Sequence, residues 1–453
     1  MRGDLVDELR RVVGTEHVLV DAELTERYRI DWTGRYRADS AVVVRPADVD
    51  EVAAVVRCCA AQGAAICPQG GNTGLVGGSV PLGGEVVVST SRLGRLDRVD
   101  TLAATVVAGA GVTLGELQQH VGAAGFEYGV DLGARDSATV GGTIATNAGG
   151  THVIRWGTTR ANVVGIRAVL ADGSVVGDLT GLVKDNTGYH LPGLLCGSEG
   201  TLGIITDATL SLHRRAAHTV TALIGFESIH AATAAVAPLV AAPSPIDAIE
   251  FMLGDGLRLV RDTFDLQAPL AVECPAVLLV EASSEDPMDD RLGSTISSIP
   301  GVVDAAVASS EARRASLWRH RELHTEAIAG LGPPVKLDVT VPLRSLSEFV
   351  ASIGRVVSVP LPEATVWLFG HAGDGNVHVN VSGVAPADEE RCADVVLAHV
   401  LASGGSVSAE HGIGRMKRPW LERQRGAHDV AAFRRIKQAL DPTGVFQPDV
   451  LLP

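Results

Sequence analysis

Apolar and polar positions along the chain fall into two textures that change near Arg215. Before it, short apolar runs such as AAICPQ (64–69), EVVVST (85–90) and ATVVAGA (104–110) are separated by glycine-rich turns. Runs of this length, rich in β-branched residues and bounded by glycine, predict strands. VDEVAAVVRCCAAQ, residues 49–62, predicts a helix, with Asp48 placed to cap its first turn. The first 45 residues predict a helix, a turn and a strand that ends at Pro46. After about Leu212, alanine-rich helical stretches alternate with strand-like runs such as AVLLVEA (276–282) and VVDAAV (302–307). That alternation predicts a second, antiparallel sheet with helices packed on it. AAFRRIKQALDP (431–442) returns to helix. The expected class is α+β: a first domain over residues 1–215, a second over 216–405, and a C-terminal segment, 406–453, that returns to the first domain.

Glycine is concentrated between Gly70 and Gly203, in three stretches: PQGGNTG (68–74), GGTIATNAGG (141–150) and GSEGTLGII (197–205). Successive glycine amides expose N–H groups that can form a nest for phosphate oxygens. The stretches are not P-loops, because no Gly-Lys pair occurs in the chain. Gly109-Ala110-Gly111 follows a strand but reads GxGxxxG, and no acidic residue closes a βαβ unit around it. A Rossmann dinucleotide site is therefore not expected.

The second texture contains FGHAGDGNVHVNV (369–381), in which His371 and His378 flank a Gly-Asp-Gly turn. The run Val377-His378-Val379-Asn380-Val381 alternates with period two. A strand there puts His378 and Asn380 on one face and the valines on the other. With SAEHGIG (408–414), this supplies His371, His378 and Glu410 as ligands for a divalent ion, zinc or similar, with His411 beside them. Three protein ligands leave a position open for a substrate oxygen.

Composition narrows the class. The chain has 453 residues with 46 % hydrophobic content, enough for two or three domains with cores. A formal net charge of -15 argues against a nucleic-acid partner. The six cysteines form no CxxC pair, so neither a disulfide framework nor a thiolate metal site is expected, and a reducing cytoplasm is the preferred location. MRGDLVDELRR lacks the apolar core of a signal peptide. The run Ala231 to Ala242 is too short and too weakly apolar to span a bilayer, so any membrane association would be peripheral.

Five segments taken together, PQGGNTGLVGGSVP, DLGARDSATVGGTIATNAGG, KDNTGYHLPGLLCGSEGTLGIIT, GHAGDGNVHVNV and SAEHGIGRMK, resemble the FAD-linked 2-hydroxyacid dehydrogenases of the vanillyl-alcohol-oxidase (PCMH-type) flavoproteins. The resemblance runs from about Tyr28 to Pro448 and is nearest to the D-2-hydroxyglutarate and D-lactate dehydrogenase branch. It implies a PCMH-type FAD-binding domain followed by a substrate domain with an antiparallel sheet and covering helices. It implies cofactor contacts from Pro68, Gly70, Gly71, Asn72, Thr73, Gly74 and Leu75, from Gly141, Gly142, Thr146, Asn147 and Gly150, and from Glu199, Gly203 and Ile204. Some relatives attach the flavin through a histidine in the first glycine-rich loop. Asn72 stands there in this chain, so FAD is expected to be non-covalent. Ala138 and Gln447 replace the cysteine and asparagine common in the family.

Such an enzyme moves a hydride from C2 of a small 2-hydroxy acid to flavin N5, and its protein must hold the carboxylate and take the hydroxyl proton. His411 is the expected base, since imidazole titrates near working pH. Arg321, Thr325 and Lys336 match the family's substrate-anion positions, and Asn380 shares the face of His378. Arg321 and Thr325 stand four apart, on one face if WRHRELHTEA is a single helix. Lys336 is one of only four lysines and lies inside VKLDVTVP, where burial without a partner would be costly. Glu322 and Asp338 are available to pair with these cations. The expected substrate is D-2-hydroxyglutarate. The alternatives are D-lactate or glycolate on the same scaffold, as dehydrogenase or oxidase, and a non-catalytic flavoprotein subunit. No nicotinamide fingerprint is present, so the electron acceptor is expected to be a quinone, a cytochrome or an electron-transfer flavoprotein. A homodimer is compatible with the sequence.

Overall fold

A computed structural model describes residues 2–242 and 244–453. The chain forms two compact units. One comprises the residues up to Gly150, Gly157–Arg215 and Glu410–Pro453, and the other comprises Thr151–Trp156 and Ala216–Ala409.

In the first unit, the strands Val42–Val44, Val86–Ser89 and Ile66–Gln69 run parallel, with Val18–Leu19 antiparallel at the edge. A second, antiparallel sheet is ordered Thr105–Gly109, Ile204–Ser211, Val163–Val169, Val175–Asp178. The expected helix forms over Val49–Ala61. The Asp48 carboxylate accepts the Glu51 N–H at 2.9 Å, satisfying one of the donors that a helix start leaves open. Val52, Val55, Val56 and Cys59 of that helix are fully buried. They share a core with Leu9, Ile66, Leu117, Ile144 and Leu210. The N-terminal region holds one helix more than expected, Ala22–Arg29, capped by Asp21 through the Glu23 N–H at 2.8 Å. Its largely polar sequence hides the helical period. The C-terminal tail lies along Ile66, whose N–H donates to the Val445 carbonyl at 2.7 Å and whose carbonyl accepts from Gln447 at 3.0 Å.

The second unit is built on one seven-stranded antiparallel sheet. Its order is Val302–Ala308, His218–Phe226, Ala276–Ser284, Ile246–Leu253, Thr365–His371, Asn376–Ser382, Val335–Thr340. Side chains alternate between faces along each strand. One face carries Leu223, Leu279, Met252 and Phe369, which form a core with Leu317 and Ile328 of the helices Glu311–Glu322 and His324–Ala329. The other face carries Val377, Val379, Val381, Leu337 and Val339, all buried. The helices Leu343–Ser358 and Glu389–Ala402 pack on the neighbouring strands.

The unit divisions differ from the expected boundaries in two places. Thr151–Trp156 belongs to the second unit, where Arg155 pairs with Asp247 and donates to Ser283 Oγ at 2.6 Å. The chain also stays in this unit through Ala409 rather than leaving at 405. Ser406 and Thr340 exchange both backbone hydrogen bonds, at 2.7 and 3.1 Å, and this holds the segment on the sheet edge. Among the described residues no helix is long and apolar enough to cross a membrane.

Two histidines are enclosed behind this core. His324 is 1 % exposed and packs against Phe369 with ring centroids 5.0 Å apart and planes tilted by 47°. Neither of its ring nitrogens has a partner in hydrogen-bond geometry. Burial first, then the Arg321 charge, pushes it down to about 3. Burial, then Arg261 and Arg319, pushes His320 down to about 4. As pH falls below the ordinary histidine value near 6.5, the unfolded chain binds protons that the folded unit refuses. Stability should therefore fall on acidification from about pH 6.5, by at most about 1.4 kcal/mol per pH unit for each histidine, until the folded values are reached. In urea titrations from pH 7 to pH 4, His324→Leu should show a shallower pH slope than the wild type. An unchanged slope would show that His324 takes up its proton in the folded protein.

Candidate active site

Register assembles a polar row on one face of the seven-stranded sheet. Glu250 lies opposite His371, Phe369 opposite His378, His378 opposite Asp338, and Asn380 opposite Lys336. The turn Ala372–Gly375 sets the two histidine strands side by side, and the imidazole centroids are 5.2 Å apart in an edge-to-face arrangement. Each ring has a buried carboxylate on its Nδ1. His371 Nδ1 is 2.5 Å from Glu250 Oε1, and His378 Nδ1 is 3.2 Å from Asp338 Oδ1. Glu250 is 0 % exposed, and Asp338 is also buried and accepts from Asn376 Nδ2 at 2.7 Å. A carboxylate on Nδ1 fixes the tautomer and turns Nε2 toward a metal, which is the usual support of a histidine ligand.

The electrostatics differ between the two pairs. Burial alone would raise the Glu250 carboxyl, but the His371 and Arg321 charges overcome it and hold it down at about 2. Burial outweighs the Asp338 carboxylate at His378 and pushes that ring down to about 4. The carboxylate is therefore charged and the His378 imidazole neutral near pH 7, and neutral imidazole is the form that ligates a metal. Burial also lifts the Asp374 carboxyl of the intervening turn above its ordinary range.

Arg321 reaches the same row. Its Nε donates to Glu250 Oε2 at 2.6 Å, and its guanidinium lies over the Phe369 ring at 4.6 Å. Glu322, available by sequence to pair with a cation, is exposed while Arg321 is buried. Asp338, also considered as a partner for the cations, holds His378. Thr325 does not share one continuous helix with Arg321: the first helix ends at Glu322, a second begins at His324, and Thr325 is exposed. Lys336 is half-buried and Asn380 is buried, both on the His378 face. Glu250 was not visible as a site residue from sequence. The signal available was a pair of acidic residues, Asp247 and Glu250, inside the otherwise apolar strand IDAIEFML.

In the first unit, the glycine-rich stretches pack closely on their own surroundings. A Cβ on Gly71 would stand 1.8 Å from the Ser137 carbonyl oxygen, one on Gly70 2.4 Å from Thr139 Oγ1, and one on Gly141 2.6 Å from Ala110. These glycines, with Gly150 and Gly203, are required by the fold itself. Gly74 differs: no atom lies within 4 Å of its Cβ position, and its φ is not in the left-handed region. Gly142 meets only Thr139 Oγ1, at 3.2 Å. Open glycines of this kind suit the close approach of a ligand. Thr73 and Leu75 flank Gly74, and Pro68 lies in the strand that leads to it.

Asn72 is a loop clip. Its Nδ2 donates to the Arg27 and Ile30 carbonyls at 3.0 and 2.7 Å, and its Oδ1 accepts from Ser79 at 2.7 Å. Thr146 donates to the Gly142 carbonyl, and Asn147 Oδ1 accepts the Arg160 N–H. Ile204 is buried in the core and pairs with Val169 in the antiparallel sheet. The half-buried Glu199 carboxylate accepts the Ile413 and Gly414 N–H groups at 2.8 and 2.7 Å. Burial raises its pKa, offset in part by those bonds and by Lys417. Glu199 thus fixes the backbone just beyond Glu410 and His411. Gln447 is buried and donates to the Gly78 carbonyl at 2.7 Å, and Ala138 is buried in the core.

Residues 215–451 match the family model of FAD linked oxidases, C-terminal domain, and residues 40–177 match that of an FAD binding domain. The chain is 36 % identical over 459 residues to the mitochondrial D-2-hydroxyglutarate dehydrogenase of Bos taurus, covering 98 % of this chain and 82 % of the bovine protein. It is 34 % identical over 460 residues to D-2-hydroxyglutarate dehydrogenase of Stutzerimonas stutzeri, covering 98 % of each. Among solved structures, p-cresol methylhydroxylase with substrate bound has a TM-score of 0.78 at 15 % identity, covering 99 % of this chain and 96 % of its own. Alkyldihydroxyacetonephosphate synthase has a TM-score of 0.74 at 17 % identity, covering 98 % and 85 %. At those identities the likeness is one of fold.

The contrast between Gly74 and Gly71 can be tested. Gly74→Val should leave thermal stability of the flavin-free protein close to wild type but prevent flavin retention. Gly71→Ala should lower stability with or without flavin, because its Cβ collides with backbone. Melting curves and flavin absorbance of both variants decide this. A Gly74→Val protein that keeps its full yellow colour would show that no ligand approaches this turn.

Proposed function

Because the chain belongs to the family of FAD-linked oxidases, we propose that it is an FAD- and metal-dependent dehydrogenase that oxidises D-2-hydroxyglutarate to its 2-oxo acid. The carrying observation is the pair of imidazoles, each with a buried carboxylate on Nδ1, on the sheet face that also holds a buried arginine. That donor set fits a zinc-like ion. His371 and His378 would ligate it, with Glu410, the residue that follows Ala409, as third ligand. The open glycines of the 68–75 and 141–150 stretches fit FAD, and the hydrogen bonds that occupy the Asn72 side chain accord with a non-covalent flavin.

When bound, FAD supplies the hydride acceptor and the metal supplies Lewis-acid polarisation of the C2 hydroxyl. The residues supply the rest. Glu250 occupies Arg321 Nε, so the terminal amino groups of the fork are the ones that meet a substrate carboxylate. Lys336 serves the second carboxylate, while Thr325 and Asn380 are neutral donors. His411 takes the hydroxyl proton. The electron acceptor is a quinone, a cytochrome or an electron-transfer flavoprotein, and the enzyme works in the cytoplasm or peripherally at a membrane.

Dye-linked assays over D- and L-2-hydroxy acids test the substrate. D-2-hydroxyglutarate should be preferred, and it should bleach the flavin absorbance. Preference for D-lactate or glycolate would remove the dicarboxylate assignment, and a flavin that no hydroxy acid bleaches would point to the non-catalytic reading. Lys336→Met should weaken kcat/KM for D-2-hydroxyglutarate roughly ten- to a hundred-fold more than for D-lactate, the worth of one charge-assisted hydrogen bond.

His411→Ala should lower kcat by roughly 10²–10⁴-fold, the usual contribution of a positioned base. Its flavin and metal content should match the wild type. A metal-depleted His411→Ala would make His411 a ligand instead of the base.

A further inference from the structure

Glu250 stands in the middle strand of the seven-stranded sheet with a side chain that is 0 % exposed. An ionised carboxylate there is tolerated only if its oxygens are fully compensated. The two oxygens go to different partners: Oε1 faces His371 Nδ1 at 2.5 Å, and Oε2 accepts from Arg321 Nε at 2.6 Å. Neutralising the buried arginine would need only the second contact. The first falls on the imidazole edge opposite Nε2. Asp338 stands behind the other imidazole, holding His378 at 3.2 Å and Asn376 at 2.7 Å.

We infer that Glu250 is a positioning residue that serves two binding events at once, fixing His371 for the metal and Arg321 for the substrate carboxylate. This rests on the reading of His371 as a ligand and of Arg321 as the carboxylate clamp. The hydrogen-bond inventory shows why a glutamine cannot replace it. Arg321 Nε and His371 Nδ1 both donate, and a carboxylate accepts from both, whereas an amide offers one acceptor oxygen and one donor nitrogen. If the amide oxygen takes the arginine, the amide N–H faces His371. That imidazole then accepts at Nδ1 and carries its proton on Nε2, where it can no longer ligate. If the oxygen takes the histidine, the amide N–H faces the arginine and drives its fork out of place.

The test uses the full-length, FAD-loaded protein and two equilibrium readouts. Zinc affinity is measured against a chelator buffer without substrate. Affinity for 2-oxoglutarate is read from the perturbed flavin spectrum of metal-free protein. Glu250→Gln should weaken zinc about 10- to 100-fold, the usual effect of losing a partner behind a ligand, and should weaken metal-free 2-oxoglutarate binding about ten-fold or more. Asp338→Asn should also weaken zinc, through the loss of the carboxylate behind His378.

A folded Glu250→Gln that matches the wild type in either readout overturns the inference. If that variant does not fold, Glu250→Gln combined with Arg321→Gln removes the unbalanced charge. Zinc binding equal to wild type in the double variant overturns the metal half, and with it the inference. A wild type that binds no zinc, with His371→Ala indistinguishable from it, overturns the functional reading and the inference together. Wild-type zinc binding that Glu250→Gln leaves untouched overturns the inference alone.

Discussion

His371 and His378 lie on neighbouring strands of one hairpin, so their separation is set by its register and not by any loop. A slip of one residue in Asn376–Ser382 would turn His378 and Asn380 to the apolar side and bring Val377 and Val379 into their place. The turn prevents it. The Gly375 N–H donates to the His371 carbonyl at 3.1 Å, and its φ of 80° is one that a side chain rarely adopts. A Cβ there would also stand 2.2 Å from the Val341 carbonyl oxygen. The same register extends one strand further on each side, to Glu250 and to Asp338. Sheet geometry thus delivers two imidazoles and the two carboxylates that orient them as a single rigid row, the kind of scaffold that holds a site to sub-ångström tolerance.

Placing that many charges in a core is expensive unless each has partners, and the second unit meets this requirement repeatedly. Glu250 has an arginine and an imidazole. Glu281, on the same face, accepts from Thr221 Oγ1 at 2.7 Å and Trp318 Nε1 at 2.8 Å, with Arg314 at 3.6 Å and His152 at 3.8 Å. Asp247 has Arg155. Networks of this kind are rigid when complete and fragile when one member is lost. The result at the histidines is a division of charge: Glu250 stays ionised despite its burial, and His378 stays neutral despite Asp338. For His378, the neutral form is the one in which an imidazole can ligate a metal.

Much of this was legible in the sequence because it is local. Period two in VHVNV assigned His378 and Asn380 to one face, and Asp48 announced a helix that starts where it should. The partners behind the site were not legible because they are remote: Glu250 lies 121 residues from His371 and 71 from Arg321. No periodicity carries that information, and the arginine's adjacent glutamate was the more obvious partner. The four-residue spacing of Arg321 and Thr325 does not put them on one helix, since one helix ends at Glu322 and another opens at His324. Glycine was read as a mark of ligand contact wherever it clustered. Several of those glycines are also demanded by backbone crossing backbone, a requirement that only coordinates reveal.

Glu199 shows how one residue of a glycine-rich stretch can order a loop far away in sequence. It lies at the end of a glycine-rich stretch with φ at 52°, a conformation uncommon outside glycine. Such a backbone persists only where the surroundings over-determine it. Here the surroundings are the Ile413 and Gly414 amides, which meet the carboxylate from 214 and 215 residues away. A Cβ on Gly412 would fall 2.9 Å from the same carboxylate. The segment Glu410–Gly414 has no helix or strand to hold it, yet it carries the proposed third ligand and the proposed base. A loop can present catalytic groups reliably only when its backbone donors are satisfied by something fixed. Glu199 meets that need, and an acidic side chain suits it better than a neutral one, because two amides converge on it and charge-assisted bonds are the stronger kind. The strain at Glu199 and the order of the His411 loop are therefore two sides of one interaction.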